Sequence, residues 1–201
     1  MMKHSSRPSK RRGGEIAVDP VSPFGDLIRR AQTGDHRAFT SLLRQADGRM
    51  RNLASGLMGT GTATDDALQD AYLQAYRDLG DYHGNALFST WLHTIVYRTC
   101  LRHLRQQKRR AEVDLDAVPE LATRSDHAEA QADADAVDTA LRSLPPDQAA
   151  VVILIDGDGC SYQEAAAALD VREGTIASRL NRGRRALRNA LSVDPDERSE
   201  P

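Results

Sequence analysis

Apolar residues recur at helical spacing along this chain, in blocks separated by turns rich in Gly, Pro and Asp. Residues 1–22 carry Ser, Pro, Gly and basic side chains without period and predict a disordered tail. Pro23 to Ala31 predicts a short helix closed by Thr33-Gly34-Asp35, and Asp35 can cap the next. In that second helix Phe39, Leu42, Leu43, Ala46, Met50, Leu53, Ala54 and Leu57 keep the period until Gly59-Thr60-Gly61. A third helix spans roughly Asp65 to Leu79, with Ala67, Leu68, Ala71, Tyr72, Ala75 and Tyr76 on one apolar face. After a loop from Gly80 to Leu87, a long helix starts near Ser89. Periodicity lapses after Ala111 and resumes near Asp126 in an Ala-rich helix that Pro145-Pro146 stops. Asp147 is positioned to cap a further helix through Ile155, and Asp156-Gly157-Asp158-Gly159 reads as a turn.

The stretch from Cys160 to Leu191 is the most specific. Ser161 and Glu164 have the spacing of a capping box, and Glu173 restarts a longer helix after Leu169-Asp170-Val171. Ala166, Asp170 and Ile176 fall where a helix-turn-helix needs a small residue, a tight turn and an apolar lock. Aspartate tolerates the left-handed backbone better than most residues. Arg179, Arg182, Arg184, Arg185 and Arg188 on the second helix suit phosphates and guanine edges, while Thr175 and Ser178 suit either. This block predicts a DNA-reading element. Gly183 within the helix costs about 1 kcal/mol relative to alanine.

Composition supports helix-on-helix packing: 40% hydrophobic residues, only 4% aromatic, in a 201-residue chain. Net charge is −2, so bulk charge says little, but its distribution says more. No acid occurs from Tyr82 to Ala111, where Arg98, Arg102, Arg105, Lys108, Arg109 and Arg110 are basic. From Glu112 to Asp138 the sign reverses, and carboxylates face Arg124 alone. Cys100 and Cys160 are too few and too far apart for a zinc site, and no metal or cofactor is expected. The Asp156–Gly159 turn lacks the spacing and the glutamate of a calcium loop. No apolar run reaches membrane-spanning length and no secretory signal is present, which predicts a cytoplasmic protein without membrane insertion.

Two further constellations lie in the first half. Asp66, Gln69 and Asp70 share a helix face, either to meet a basic partner or, with Asp65, to complement the helix dipole. The basic helix follows Tyr82, His83, Asn85, Phe88 and Trp91. Cations beside aromatic rings suit a single nucleic-acid strand, because bases stack on rings while phosphates meet arginine. Core burial is the plainer reading of Phe88 and Trp91, and for Trp91 alone the better one.

The order Asp66-Ala67-Leu68-Gln69-Asp70, Phe88-Ser89-Thr90-Trp91-Leu92, then a basic helix, resembles region 2 of a bacterial sigma factor. Leu144-Pro145-Pro146, Ser161 to Ala166 and Gly174 to Leu180 resemble its region 4. Two regions on a short linker, without region 1.1 or a folded region 3, resemble the extracytoplasmic-function group of the sigma-70 family. The resemblance implies an all-α protein of two small helical domains joined by a flexible acidic linker. Residues 23–111 would be region 2, 112–125 the linker and 126–192 region 4, between disordered tails at 1–22 and 193–201.

The resemblance further implies a non-enzymatic initiation subunit that binds core RNA polymerase and promoter DNA. Its contacts on the polymerase would be the coiled coil of the largest subunit and the flap of the second-largest. Asp66, Ala67, Leu68, Gln69 and Asp70 would bind core. Tyr82, His83, Asn85, Phe88, Trp91, Arg98, Arg102 and Arg105 would meet the minus-ten element, with one base flipped into the Gly80–Leu87 loop. Ser161, Arg172, Thr175, Ser178, Arg179, Arg182, Arg184 and Arg185 would meet the minus-thirty-five element. Ala177 and Asn181 depart from residues frequent in the family, so the element read can differ. An anti-sigma factor is the expected partner, wedged between the domains against the acidic face and an apolar surface around Val151, Val152 and Leu154. The protein would be nucleoid-associated when active. A stand-alone helix-turn-helix regulator is the rival reading, and an enzyme a distant third.

Overall fold

The computed structural model describes residues 23–113 and 129–192, and the expected tails and most of the acidic linker lie outside them. Among the described residues the elements are helical: α1 (Pro23–Gln32), α2 (His36–Met58), α3 (Thr62–Asp78), α4 (Phe88–Val113), α5 (Glu129–Ser143), α6 (Pro146–Val152), α7 (Tyr162–Leu169) and α8 (Glu173–Ser192). Asp35 caps α2 as its position predicts, accepting the Arg37 and Ala38 N–H groups at 2.9 and 3.1 Å. Gly59, at φ +86°, ends that helix with its N–H on the Ser55 carbonyl. Helix α3 begins earlier than its apolar period suggests, because the Thr64 hydroxyl donates to the Gly59 carbonyl at 2.6 Å and ties the first turn down.

Two expectations about α6 need correction. Asp147 lies inside the first turn, and the cap position belongs to Pro145, which offers no side-chain acceptor. Proline at the first helical position satisfies the start differently, by having no N–H to leave unpaired. The helix does not continue through Ile155 as an α-helix either. It widens into a π-turn, Ile153–Gly157, closed by the Asp158 N–H on the Ile153 carbonyl at 2.8 Å.

Within the first unit α1 to α4 pack around Leu42, Met50, Leu53, Leu68, Leu92 and Val96, each at most 2% exposed. Burying each such side chain stabilises by about 1.5–3 kcal/mol. In the second unit α6, α7 and α8 close over Val151, Leu154, Ile176 and Leu180. The two units are not held apart. Helix α4 packs on α7, and α2 packs on α5, α6 and the π-turn, so one continuous apolar core runs through both. Gly56 on α2 shows how close the approach is: a Cβ there would meet Ile153 Cδ1 at 2.5 Å. At the centre of the junction His93 Nε2 lies 3.1 Å from Asp158 Oδ2, with both side chains 1% exposed, and Asn52 Nδ2 donates to the other Asp158 oxygen at 3.4 Å.

Candidate nucleic-acid interface

The helix-turn-helix forms as its spacing predicts. Ser161 Oγ accepts the Glu164 N–H at 3.2 Å, and Glu164 Oε2 accepts the Ser161 N–H at 2.8 Å, which completes the capping box. The Ser161 N–H and then its hydroxyl, both donating to Oε2, hold the Glu164 carboxyl below its ordinary pKa. Asp170 ends α7 in the left-handed conformation, φ +55° and ψ +50°. Ile176 is fully buried and Ala166 nearly so, as lock and close-packing residue. Gly183 has a reason its sequence position hid. A Cβ there would meet Val152 Cγ2 at 2.7 Å and the Gln148 carbonyl at 3.4 Å, so α8 crosses α6 at a distance only glycine permits.

What α8 presents outward is hydroxyls and arginines. Ser178, Arg182, Arg185 and Arg188 are exposed, as is Arg172 just before the helix, and Thr175 is half-buried. Arg179 is held to Asp147 at 3.0 Å, and Arg184 reaches Asp156 at 3.0 Å from Nε. The Ser161 hydroxyl and N–H are both engaged with Glu164, so the capping box, not a phosphate, takes up the donors at that position.

In the first unit the structure divides the expected site residues. Ala67 and Leu68 are 0% and 2% exposed and belong to the core, because their place on the α3 turn faces α2 and α4. Asp66, Gln69 and Asp70 are exposed, and Asp70 accepts from Arg102 at 3.3 Å and contacts His103 Nε2 at 3.0 Å. Beyond them Leu73 is 49% exposed on the same helix, beside an open groove of about 570 Å³ between α2 and α3. Tyr76 borders that groove, stacked on His36 at 5.4 Å and edge-on to Phe39 at 5.2 Å. Leu73 follows Asp70 by one helical step, and that spacing is the signal that could have added it to the face.

The aromatic loop is also divided. Tyr82 and Phe88 are 7% and 4% exposed, and with half-buried Trp91 they form one ring cluster, centroids 5.2–6.0 Å apart. Tyr82 and Phe88 are therefore the foundation of the loop and not its stacking surface, since their apolar faces are already satisfied by each other. Burial pushes the Tyr82 phenol up from its ordinary pKa, and its hydroxyl donates to the Ala86 carbonyl at 2.7 Å. His83, Asn85 and Leu87 are exposed on the loop, as are Gly80 and Asp81 at its start. Gln32, which periodicity alone does not single out, reaches across from α1 to the Leu79 and Tyr82 carbonyls.

On α4 the cations Arg98, Arg102, Arg105, Lys108, Arg109 and Arg110 are exposed, while His93, Val96, Tyr97 and Cys100 turn inward. Arg98 is bound to Asp170 of the helix-turn-helix at 3.1 Å. Because α4 and α7 touch, the expected wedge of a partner between the units has no room here. Val151, Val152 and Leu154 are 0%, 7% and 0% exposed, filled from within the fold, so they offer no partner surface. Burial raises the Cys100 thiol to about 12 and the Cys160 thiol to about 11. Among the described residues no helix is long and apolar enough to cross a membrane.

Comparison with known proteins agrees with this arrangement of parts. Residues 42–110 match the sigma-70 region 2 family, and residues 134–187 match sigma-70, region 4. The chain is 38% identical to the ECF RNA polymerase sigma factor SigM of Mycobacterium tuberculosis over 83% of each chain. It is 31% identical to the ECF RNA polymerase sigma-E factor of Escherichia coli, over 82% of this chain and 92% of that one. Among solved structures it resembles the sigma factor RpoE of Bartonella quintana, determined with the anti-sigma factor NepR, at a TM-score of 0.68 and 27% identity. That match covers 78% of this chain and 98% of the other. CnrH, determined with the cytosolic domain of CnrY, shares the fold at a TM-score of 0.66 and 24% identity, over 84% of this chain and 97% of that one. The chain belongs to the sigma-70 family, as an RNA polymerase sigma factor of the extracytoplasmic-function group.

Proposed function

We propose that this chain binds core RNA polymerase through the exposed face of α3 and brings two separate DNA readers to a promoter. Asp66, Gln69, Asp70 and Leu73 form the polymerase-binding surface, a row of acids beside an apolar step that suits a coiled coil with basic and apolar positions. The loop bearing His83 and Asn85, with Arg98, Arg102 and Arg105 of α4, meets the minus-ten element. Ser178, Arg182 and Arg185, with Thr175 and Arg172 at the front, meet the minus-thirty-five element, and Arg188 lies further back over phosphate. The protein supplies position and selectivity in the cytoplasm, and the polymerase supplies the chemistry.

The observation that carries this reading is the division of α8. Ile176 and Leu180 lock it to the domain, while Ser178, Arg182 and Arg185 stay exposed on the outer side, Ser178 and Arg182 bonded only within the helix. An anti-sigma factor is the expected regulator, by analogy with the partner of the Bartonella quintana relative. With the junction between the units closed, it would grip their outer faces. Run-off transcription tests the whole: core polymerase plus this chain should initiate at native promoters that core alone ignores. Transcription no greater than that of core alone would overturn the reading.

A further inference from the structure

We propose that Gln32 is a positioning residue for the minus-ten reading loop: its side-chain amide, projected from α1, fixes the loop backbone in the shape that selects a base. The proposal rests on the assignment of that loop given above. Gln32 Nε2 donates to the Leu79 carbonyl at 3.0 Å and to the Tyr82 carbonyl at 2.8 Å. Those two oxygens bracket the point where the chain leaves α3 and turns into the loop. They lie 47 and 50 residues from Gln32 in sequence, so the bonds join the first helix to the reader. Ties within the loop itself are short-range: the Tyr82 N–H returns to Leu79 at 3.2 Å, and its hydroxyl reaches Ala86.

The chemistry of the donor matters. A primary amide carries two N–H protons on one nitrogen and can serve two carbonyls together, whereas a carboxylate accepts only and would repel both. The Leu79 carbonyl also accepts the Tyr82 N–H, so the carbonyl that depends on Gln32 is that of Tyr82, and leaving it without its donor loosens the loop from the distance Gln32 sets. That distance also defines a space. An open cavity of about 450 Å³ lies between α1 and the loop, with Gln32 and Tyr82 on its wall and Arg29 and His83 at its sides. Gly84, at φ +75°, turns the chain at its edge. A base entering there is distinguished by groups that must stay within about 0.5 Å of their places. Gln32 acts on that selection through the backbone, without needing to touch the base.

The experiment measures initiation by reconstituted holoenzyme on a promoter set carrying each of the four bases at every minus-ten position. Gln32→Glu replaces the donor by an acceptor of the same shape, and Gln32→Met keeps length and volume without any donor. Both should reduce the preference ratio for the favoured base about tenfold while core binding is unchanged. Gln32→Lys restores donors and should keep the ratio within about threefold of wild type, since nonspecific attraction cancels in a ratio. Should Gln32→Glu fail to fold, Gln32→Met and Gln32→Lys carry the comparison. Wild-type ratios in Gln32→Met, or equal losses on all four bases, would overturn the proposal. His83→Ala and Asn85→Ala serve as loop controls. If they shift base preference while the Gln32 variants do not, only the positioning role fails. If the loop controls also leave preference untouched, the loop is not the reader and both ideas fall.

Discussion

His93 and Asp158 meet at 3.1 Å across the junction of the two helical units, each side chain 1% exposed. His93 belongs to the helix that carries the basic row, and Asp158 to the turn that leads into the helix-turn-helix. With a proton on Nε2 the imidazole donates to the carboxylate, while its Nδ1 is buried without a partner. Removing Asp158 strands His93 in an apolar setting, and removing His93 leaves Asp158 with Asn52 alone, each at a cost of about 1–3 kcal/mol. Replacing both by apolar residues removes the stranded group as well. In chemical denaturation, His93→Leu and Asp158→Leu should each destabilise by that amount, and the double variant by clearly less than their sum. Strict additivity would show that the pair does not couple the units.

Asp66 and Asp70 share a face but do not offer the same test. Asp70 is already bonded to Arg102 and His103, so its reversal disturbs the fold of α3 against α4. Asp66 is exposed and is the cleaner probe. Asp66→Lys should reduce capture of core polymerase at least tenfold, with helical content and melting temperature retained, because a like-charge contact replaces an attractive one. Undiminished capture would remove Asp66 from the polymerase-binding surface.

Gly183→Ala sets two effects against each other. Alanine favours the helix by about 1 kcal/mol. Its Cβ must displace Val152 Cγ2 from 2.7 Å and crowd the Gln148 carbonyl, and overpacking of that kind costs about 1–3 kcal/mol. The net change in denaturation should be destabilising, and Val152→Ala in the same chain should recover part of the loss. A stabilised Gly183→Ala would mean that α6 yields freely.

Acid should loosen the helix-turn-helix through Glu164. Its pKa is lowered in the fold, first by the Ser161 backbone N–H and then by the Ser161 hydroxyl. A lowered carboxyl contributes stability above its unfolded pKa, about 4.3, and loses it as pH falls through the lower folded value. Glu164→Gln should therefore be less stable than wild type at neutral pH, with the difference shrinking in acid. Ser161→Ala removes the other half of the box and should cost about 0.5–2 kcal/mol at neutral pH. A Glu164→Gln deficit independent of pH would contradict the ionic character of the cap.

Local rules made the helix-turn-helix readable from its letters. The capping box, the left-handed Asp170 and the buried Ile176 each depend on residues within a turn or two, so spacing alone defines them. The same holds for Asp35 and the period of α2. Failures came where one residue answers to a distant one. Ala67 and Leu68 share a motif with Asp66, but the helical turn sends them inward. Tyr82 and Phe88 looked available for bases and instead satisfy each other and Trp91. Val151, Val152 and Leu154 looked like open surface until α8 covered them, and Gly183 looked like a defect until Val152 stood beside it. Neither Gln32 nor His93 advertises its partner, since those partners lie 47 to 65 residues away.

The contact of α4 with α7 fixes a conflict of lengths. The two promoter elements are named for positions roughly 25 base pairs apart, on the order of 80 Å along the duplex at about 3.4 Å per step. If the two proposed readers take these elements, units packed together as α4 and α7 are cannot lie on both at once, and the closed chain would be the wrong ruler for a promoter. On that reading the units would have to part before both elements were read, and apparent affinity for the full site would fall by the fraction of molecules so parted. Core polymerase, by gripping the units at a fixed separation, would then act as the ruler's hinge stop, making DNA recognition conditional on assembly. The buried His93–Asp158 pair and the fit of Gly56 against Ile153 would thereby set how silent the chain is when alone.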